Sequence, residues 1–346
     1  MKQDFAQPLL TITIPTWNRA SFLEQNLSQI ALGACHSWNS IELIVSDNAS
    51  SDSTREVVDR AISRGIPLKY IRNSENIGSD ANIAQCFNLA TGRYVLILGD
   101  DDFFIDGAID FLIKHLKSFD YGVVCIKSFG FDNSFKNEFP GLGGKERIFE
   151  SATDFLKSIG PLVTLISSCV INKSILPELD ANNFIGSNLV QVHLVLRATL
   201  AAKKSLYLDR YMLGCKRNNS GGYDFSQVFV VNLGSIYDGY KNAGLDQDSV
   251  WEIENRFILT YFPFCILRQR LSDSTNLETS LANYESRFQN RLFFRIWLRP
   301  ILVWPKPFAI IWGALTTLIG RVMGGDLRRG YHFAWNKIKR DIPRIR

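Results

Sequence analysis

Three consecutive aspartates, Asp100, Asp101 and Asp102, directly follow an apolar segment and are the clearest chemical feature of the chain. Adjacent carboxylates repel one another, so folding them together costs free energy unless a cation or solvent offsets the charge. A divalent cation that keeps several waters and also binds diphosphate oxygens would supply that charge. The residues are compatible with a solvated acidic turn, but their position after an apolar strand favours a metal site.

Two further polar segments have the positions expected of loops at the ends of strands. Asp47 could accept hydrogen bonds from a nucleotide base or ribose, or it could cap the helix that follows. We favour the nucleotide for Asp47. Segment 76–82 could be a turn with a helix cap, or it could place Asn82 and backbone N–H groups beside a nucleotide, and its residues alone leave both roles open.

Apolar, β-branched runs alternate with segments of helical periodicity along the first hundred residues. We predict strands at 9–15, 41–46, 68–71 and 94–98, with helices between them. This alternation predicts a mostly parallel sheet with helices on both faces. Ligands bind beyond the carboxyl ends of the strands in such sheets, so the polar residues after three of these strands should converge on one crevice.

The pattern changes along the rest of the chain. A strand near 122–126 and a helix at 189–202 are predicted, and from about residue 246 the sequence becomes helical, aromatic and basic. We therefore predict an α/β catalytic domain over residues 1–245 and a helical C-terminal region over 246–346.

Four motifs, in this order and at this spacing, resemble those of the family 2 glycosyltransferases. They are ITIPTWNR at 12–19, VSDNASSD at 45–52, NIG at 76–78, and a segment at 90–102 that ends in the three aspartates. The resemblance spans about residues 9–125. It implies a GT-A fold, which is Rossmann-like, a nucleoside-diphosphate-sugar donor, Mn²⁺ or Mg²⁺ at the acidic motif, and inversion at the anomeric carbon.

The same resemblance assigns roles to individual residues. Asp101 or Asp102 would bind the metal, and Asp102 is also a candidate catalytic residue. Many members have Asp at the first acidic position, where this chain has Gly99, so the choice of metal ligand stays open. The resemblance implies that Thr16, Asp47 and Asp100 bind the nucleotide sugar, and we predict that Asn18, Arg19 and Asn82 bind it as well.

The catalytic base is less clear. Many family members carry a Glu-Asp pair, one of which is the base, at the start of a later helix, but the matching stretch 185–193 has no carboxylate. Gln191 in that stretch lacks a basic group. His193 is the best candidate, because imidazole titrates near neutral pH, although a packed histidine with a backbone partner would look the same. Asp132 and Asp224, in predicted loops, are further candidates.

A narrower resemblance concerns the middle of the chain. Segments 167–171 and 184–188 resemble those of the bacterial abequosyltransferases of O-antigen assembly, and 215–219 does so more loosely. Those enzymes transfer a 3,6-dideoxyhexose. The resemblance implies a related sugar and an acceptor saccharide carried on a polyprenyl lipid.

Cysteine content and the N-terminal residues predict the compartment. The six cysteines form no CxxC pair and no cluster with histidine, which is typical of a reducing environment. Residues 1–8 are short and polar, unlike a signal peptide. We expect a cytoplasmic protein.

The C-terminal residues carry most of the positive charge. Residues 291–346 contain twelve Lys or Arg and two Asp, a net charge of +10, whereas the preceding residues carry 27 basic and 32 acidic groups, a net charge of −5. The uncharged run 308–320 is shorter than the roughly 20 residues of a membrane span. We predict that it lies on an anionic membrane surface, at the inner face of the plasma membrane. A helical hairpin packed on the catalytic domain is the alternative, and nucleic acid is not an expected partner, because it would not call for an apolar run.

These observations predict an inverting glycosyltransferase of surface polysaccharide or O-antigen synthesis. A sugar nucleotidyltransferase of the same fold is an alternative, but it would need a Gly-rich basic loop after the first strand, and segment 16–19 supplies little of one. A non-catalytic binding module is the other alternative, suggested by the missing Glu-Asp pair.

Overall fold

A computed structural model describes residues 7–217, 222–272 and 277–324. Asn218 and Asn219, part of the looser resemblance, and the basic residues after 324 lie outside the described residues. The chain divides into two compact units. Among the described residues, the first consists of 7–155 and 162–217, and the second of 156–161, 222–272 and 277–324.

The described residues up to 217 contain both strands and helices. The strands are β1 (Leu10–Thr16), β2 (Ile41–Asp47), β3 (Leu68–Arg72), β4 (Tyr94–Ile97), β5 (Asp102–Phe104), β6 (Val123–Phe131), β7 (Glu146–Phe149), β8 (Cys169–Asn172) and β9 (Ser205–Lys216). The helices are α1 (Ala20–Gly33), α2 (Thr54–Ser63), α3 (Ser79–Leu89), α4 (Ala108–Ser118), α5 (Ala152–Ile159) and α6 (Val190–Ala201).

All these strands join one sheet in the order β3-β2-β1-β4-β8-β6-β9-β5, with β7 paired to β9. Strands β1 to β4 are parallel to their neighbours in that group, as predicted. Strand β8 is antiparallel to both β4 and β6, and β5 and β7 are antiparallel to β9. Strands β6 and β9 form a further parallel pair. The α/β class is therefore as predicted, and the antiparallel pairs are those made by β5, β7 and β8.

Strand β1 lies in the centre of the sheet and is buried along almost its whole length. Its threonines are satisfied internally, since Thr11 donates to Glu42 at 2.7 Å. Thr11 also packs so closely on Gly92 that a Cβ there would lie 2.6 Å from the Thr11 hydroxyl oxygen. In β1 and β2, Thr16 is paired with Asp47. The strand register therefore brings the predicted site residues to one edge of the sheet.

The second unit is helical among its described residues. Its helices are α7 (Leu233–Gly239), α8 (Gln247–Thr260), α9 (Phe262–Leu271), α10 (Leu277–Phe288), α11 (Arg299–Val303) and α12 (Lys306–Met323). Residues 222–245 belong to this unit, although the sequence placed them in the catalytic domain. The reason is that the π-helical turn at 227–232 leads directly into α7. That 1–245 acts as the catalytic domain stays a prediction.

Pro300 does not interrupt the helical segment in which it lies. A π-helical turn, Phe294–Leu298, continues directly into α11, with Pro300 in the first turn of that helix. A wider turn of this kind accommodates the missing N–H of proline. Among the described helices, none combines the length and the apolar character needed to cross a membrane.

Candidate active site

The loop after β4 holds the three aspartates, and all three are buried or nearly so. The end of β1 contacts this loop through two side chains. Thr16 donates to Asp100 at 2.8 Å, and the Arg19 guanidinium lies 3.1 Å from Asp100 and 3.4 Å from Asp101. The predicted convergence of the first and fourth strand ends is therefore observed.

Two buried side chains that the sequence did not single out hold this loop in place. The amide of Asn26, on the inner face of α1, donates to the carbonyl oxygens of Gly99 at 2.9 Å and Asp102 at 2.8 Å. The hydroxyl of Ser167 accepts from the Gly99 N–H at 2.8 Å and donates to Asp102 at 2.5 Å. The acidic loop is thus fixed from both sides before any ligand binds.

The charge of the loop is only partly compensated. Burial raises the pKa of Asp100 to about 6, with a further contribution from the Asp101 charge, although Arg19 acts in the opposite direction. Burial also raises the pKa of Asp102 to about 7, again with the charge of Asp101, against the hydrogen bond from Ser167. The site therefore favours an added positive charge.

The protein side chains of the acidic loop do not form a complete metal site by themselves. Within the part of the chain that the structure describes, no group of three or more His, Cys, Asp or Glu side chains is arranged to hold a metal ion. A Mg²⁺-type ion needs only one or two carboxylates when substrate phosphates and water complete its coordination. The acidic loop fits that arrangement. The side chain of Asp101 is the more exposed, at 13% against 5% for Asp100.

Asp47 is fully buried at the end of β2, and its oxygens already have protein partners. It accepts from the Ser50 N–H at 2.8 Å and from the Tyr70 hydroxyl at 2.6 Å, and it lies 3.4 Å from the Arg72 guanidinium. Both partners on β3 were absent from the sequence-based site. In this arrangement Asp47 organises the loop after β2.

Asn18 and Asn82 also make internal contacts. Asn18 has a positive φ of 54°, which asparagine tolerates better than most residues, and its side chain accepts from the Ser51 N–H at 2.7 Å. Asn82 exchanges two hydrogen bonds with Ser46. Both asparagines connect neighbouring loops or elements at the strand ends. Contact with a nucleotide by either residue stays a prediction.

His193 lies on α6, where it stacks on Phe184 with the ring centroids 4.3 Å apart and the planes nearly parallel. Burial and the charge of Arg197 lower the pKa of His193 to about 4. The ring is therefore neutral at neutral pH and is a weak base. Its role as the catalytic base stays a prediction.

The two other candidates for the base, Asp132 and Asp224, have structural partners, and so does Gln191. Asp132 lies 3.0 Å from the Arg217 guanidinium. Asp224 accepts from the Ser226 hydroxyl and from the backbone N–H of Gln227, in the manner of a helix cap. The amide of Gln191 donates to the Thr164 carbonyl at 2.7 Å.

An exposed aromatic residue, Trp17, lies next to Thr16 in the sequence. It is 51% exposed. A large exposed ring beside buried polar groups is an unusual use of tryptophan, which is highly buried on average. Trp17 lies in the motif at 12–19, from which the sequence-based prediction took only the polar residues.

Comparison with known proteins identifies the class. Residues 11–179 match the family model described as glycosyl transferase family 2. Over 111 residues the chain is 38% identical to abequosyltransferase RfbV of Salmonella typhimurium, a match that covers 32% of this chain and 33% of that protein. Over 153 residues it is 30% identical to the GalNAc(5)-diNAcBac-PP-undecaprenol beta-1,3-glucosyltransferase of Campylobacter jejuni, covering 43% and 48% respectively. The chain thus spans between a third and a half of the length of these relatives.

Solved structures agree on the fold. S. aureus TarS 1–349 in complex with UDP-GlcNAc superposes with a TM-score of 0.61 at 16% identity, over 91% of this chain and 92% of that one. The mannosyltransferase PcManGT from Pyrobaculum calidifontis, in complex with GDP-Man and Mn²⁺, gives 0.52 at 14% identity, over 90% and 88%. Residues 11–179, just under half of the chain, therefore have the sequence of a glycosyltransferase family 2 domain. The predicted family, enzyme class and GT-A fold are confirmed for this domain.

Proposed function

We propose that the chain is an inverting glycosyltransferase that transfers a sugar from a nucleoside-diphosphate donor to a lipid-linked saccharide. The observation that carries the proposal is the acidic loop after β4. It holds buried, incompletely compensated carboxylates beside the ends of β1 and β2, where ligands bind in folds of this kind. A diphosphate bound together with a divalent cation matches that site in charge.

The donor would bind along the strand ends. Thr16 contacts Asp100 in the acidic loop, and both would lie near the diphosphate. Asp47 would reach the nucleoside, either directly or through Tyr70 and Arg72. The exposed ring of Trp17 offers a face on which a base could stack. The complexes of TarS with UDP-GlcNAc and of PcManGT with GDP-Man support a nucleotide-sugar donor.

The metal would be held by Asp101, with Asp102 as the second candidate. Bound there, Mn²⁺ or Mg²⁺ would stabilise the negative charge of the leaving nucleoside diphosphate. Arg19 lies against the same carboxylates and would keep Asp100 oriented while the ion occupies the more exposed side. Mn²⁺ in the PcManGT complex supports the choice of ion.

The proposed acceptor is inferred from the names of the two relatives. One is an abequosyltransferase, and the name of the other contains a PP-undecaprenol saccharide. These names support a polyprenyl-linked saccharide, a role in surface polysaccharide or O-antigen synthesis, and a dideoxyhexose as a first donor to test. His193 is the proposed base for the acceptor hydroxyl.

Such an acceptor would be carried by a membrane. We propose that the protein is cytoplasmic and lies against the anionic inner face of the plasma membrane. Its basic C-terminal residues support this placement.

The test is incubation with a panel of nucleotide sugars, Mn²⁺ and a polyprenyl-diphosphate-linked saccharide. Release of nucleoside diphosphate that depends on the acceptor is the expected result. Release of pyrophosphate from a nucleoside triphosphate and a sugar phosphate would instead establish a nucleotidyltransferase. Binding of donors with no turnover on any acceptor would indicate a binding module.

A further inference from the structure

Helix α12 has two faces of opposite character. Four small residues on one face are buried: Ala309, Gly313, Thr316 and Gly320. Five large apolar residues on the other face are between 45% and 68% exposed: Phe308, Ile311, Leu315, Leu318 and Val322. These five recur at intervals of three and four residues, so they form one stripe along the helix. We call this stripe the outer face of α12.

The small residues explain why the large ones point outward. A Cβ at Gly313 would lie 3.1 Å from the Leu267 side chain, and a Cβ at Gly320 would lie 2.4 Å from the Leu259 carbonyl oxygen. The backbone of α12 therefore sits close against α8 and α9, with no space for larger side chains. Rotating the helix to bury the outer face would remove this contact.

The exposed apolar surface continues at the start of α12. Trp304 is 43% exposed, and its ring centroid lies 6.0 Å from that of Trp312. The ring centroid of Trp297 lies 6.4 Å from that of Trp312. A contiguous exposed apolar surface rimmed by polar residues marks a site of interaction with a protein or a membrane. Tryptophans are enriched where a membrane meets water.

Charge narrows the kind of partner. Residues 291–324 contain five basic residues and no Asp or Glu. Lys306 and Arg321 lie at the two ends of the outer face. Arg291 and Arg299 form ion pairs with Glu254 and Glu285. Residues 325–346, which follow α12 directly, add seven basic residues and two Asp. The partner should be apolar and negatively charged. A second copy of the chain would instead bring like charges together.

We propose that the outer face of α12 docks on an anionic phospholipid bilayer. The helix would lie in the plane of the membrane, with its five apolar side chains among the headgroups and its basic flanks on the lipid phosphates. This deepens the proposed function, because it names the surface that would bring the enzyme to a lipid-linked acceptor. It rests on that function only for the choice of membrane.

The test is flotation of the full-length protein with vesicles of phosphatidylcholine containing about one third phosphatidylglycerol. The double variant Ile311→Gln, Leu318→Gln should lower the partition coefficient at least about tenfold, because each change removes apolar surface from the inserted face. The matched control is Leu32→Gln, Ile148→Gln, on the first unit. Leu32 is as exposed as Ile311, at 68%, and Ile148 is 53% exposed against 57% for Leu318. The control should bind like the wild type.

Two further arms separate the alternatives. Pure phosphatidylcholine vesicles, or high salt, should reduce wild-type binding at least about tenfold. Equal binding of the double variant and the wild type, or binding indifferent to lipid charge, would overturn the proposal. So would a dimer in solution that ignores vesicles and dissociates in the double variant.

Folding and function are checked separately. Thermal unfolding should give the same Tm for the double variant and the wild type, because the changed side chains are exposed. If the double variant does not fold, Ile311→Gln alone and the two lipid compositions still decide. Both proteins should bind the same nucleoside diphosphate with equal affinity. Absent nucleotide binding would count against the proposed function, whereas absent vesicle binding would count only against the docking surface.

Discussion

Two regions of the molecule reverse the usual distribution of polar and apolar groups, each in its own way. In the first unit, Asp100, Asp101 and Asp102 are each at most 9% exposed when the whole residue is counted. Their backbone and side chains are held by Asn26, Ser167 and Arg19. In the second unit, the outer face of α12 exposes five large apolar side chains on a helix that is well packed on its other side.

The difference lies in what each region lacks. Buried polar groups and exposed apolar patches are the informative departures from ordinary packing. The negative charge of the acidic loop is only partly offset by Arg19. The large apolar side chains on the outer face of α12 are largely exposed. We therefore propose a partner for each region: a cation with a diphosphate in the first unit, and a lipid surface in the second. The following variants test whether the two deficits are independent.

The largest expected effect comes from removing a carboxylate in the acidic loop. Asp101→Asn should reduce sugar transfer at least about a hundredfold, the usual scale for loss of one charge-stabilising group in an active site. The Tm should stay equal or rise, since a repulsive charge is removed. Asp106→Asn, at an exposed residue shortly after the loop, is the control and should retain activity. Similar activity in both variants would separate the acidic loop from catalysis.

His193 tests whether α6 belongs to the same chemistry. His193→Ala should lower kcat about a hundredfold, the lower end for a general base, because burial reduces the pKa of His193 to about 4 and makes it a weak base. Donor affinity should not change. Phe184→Leu, which removes only the stacked ring, should have a much smaller effect on kcat. Near-normal turnover of His193→Ala would leave the histidine a packing role.

Asp47 sharpens the comparison within the first unit, because its carboxylate, unlike those of the acidic loop, is satisfied by protein donors. Asp47→Ala should weaken donor binding by about 1–3 kcal/mol, as expected when buried polar partners lose their acceptor. Tyr70→Phe removes one of those partners and should have a smaller effect. If calorimetry gives the same donor affinity for Asp47→Ala and the wild type, Asp47 serves only to cap the loop.

The smallest effect concerns pH and stability without metal. The pKa of Asp102 rises from 3.8 to about 7 on folding. The folded state therefore holds this proton more tightly than the unfolded chain. That contribution to stability is complete below about pH 4 and is lost as the pH rises through about 7. In a chelating buffer, Asp102→Asn should match the wild-type Tm at low pH and exceed it by a few degrees near pH 8. A constant difference across this range would contradict the unbalanced charge.

The first four strands could be predicted because their signals are local. The predicted strands at 9–15, 41–46, 68–71 and 94–98 differ from the observed ones by at most one residue at each end. Strand β5 was missed. It has three residues and is formed by pairing with β9 more than a hundred residues later, and such pairing leaves no periodic pattern in the sequence.

In the site as well, local motifs could be predicted from the sequence, whereas long-range contacts could not. Motif spacing identified the acidic loop and Thr16, but the partners that hold them depend on packing. Asn26 is a polar residue on the buried face of α1, where the helical period alone predicts an apolar one. Tyr70 and Arg72 reach Asp47 only because β3 lies beside β2 in register. For α12, the sequence indicated an apolar surface segment, but the choice of outer face follows from the fit of Gly313 and Gly320.

The central claim is that the acidic loop binds a divalent cation together with a nucleoside diphosphate. It is tested most directly by thermal shift of the full-length protein with UDP, GDP, CDP or dTDP, each with and without Mn²⁺. Because the described side chains offer no complete metal site, Mn²⁺ alone should raise the Tm little. With one of the nucleotides it should raise the Tm by several degrees, since ligands stabilise the state that they bind. Asp101→Asn should abolish that joint shift. A full nucleotide shift in chelator, or an unchanged joint shift in Asp101→Asn, would contradict the claim.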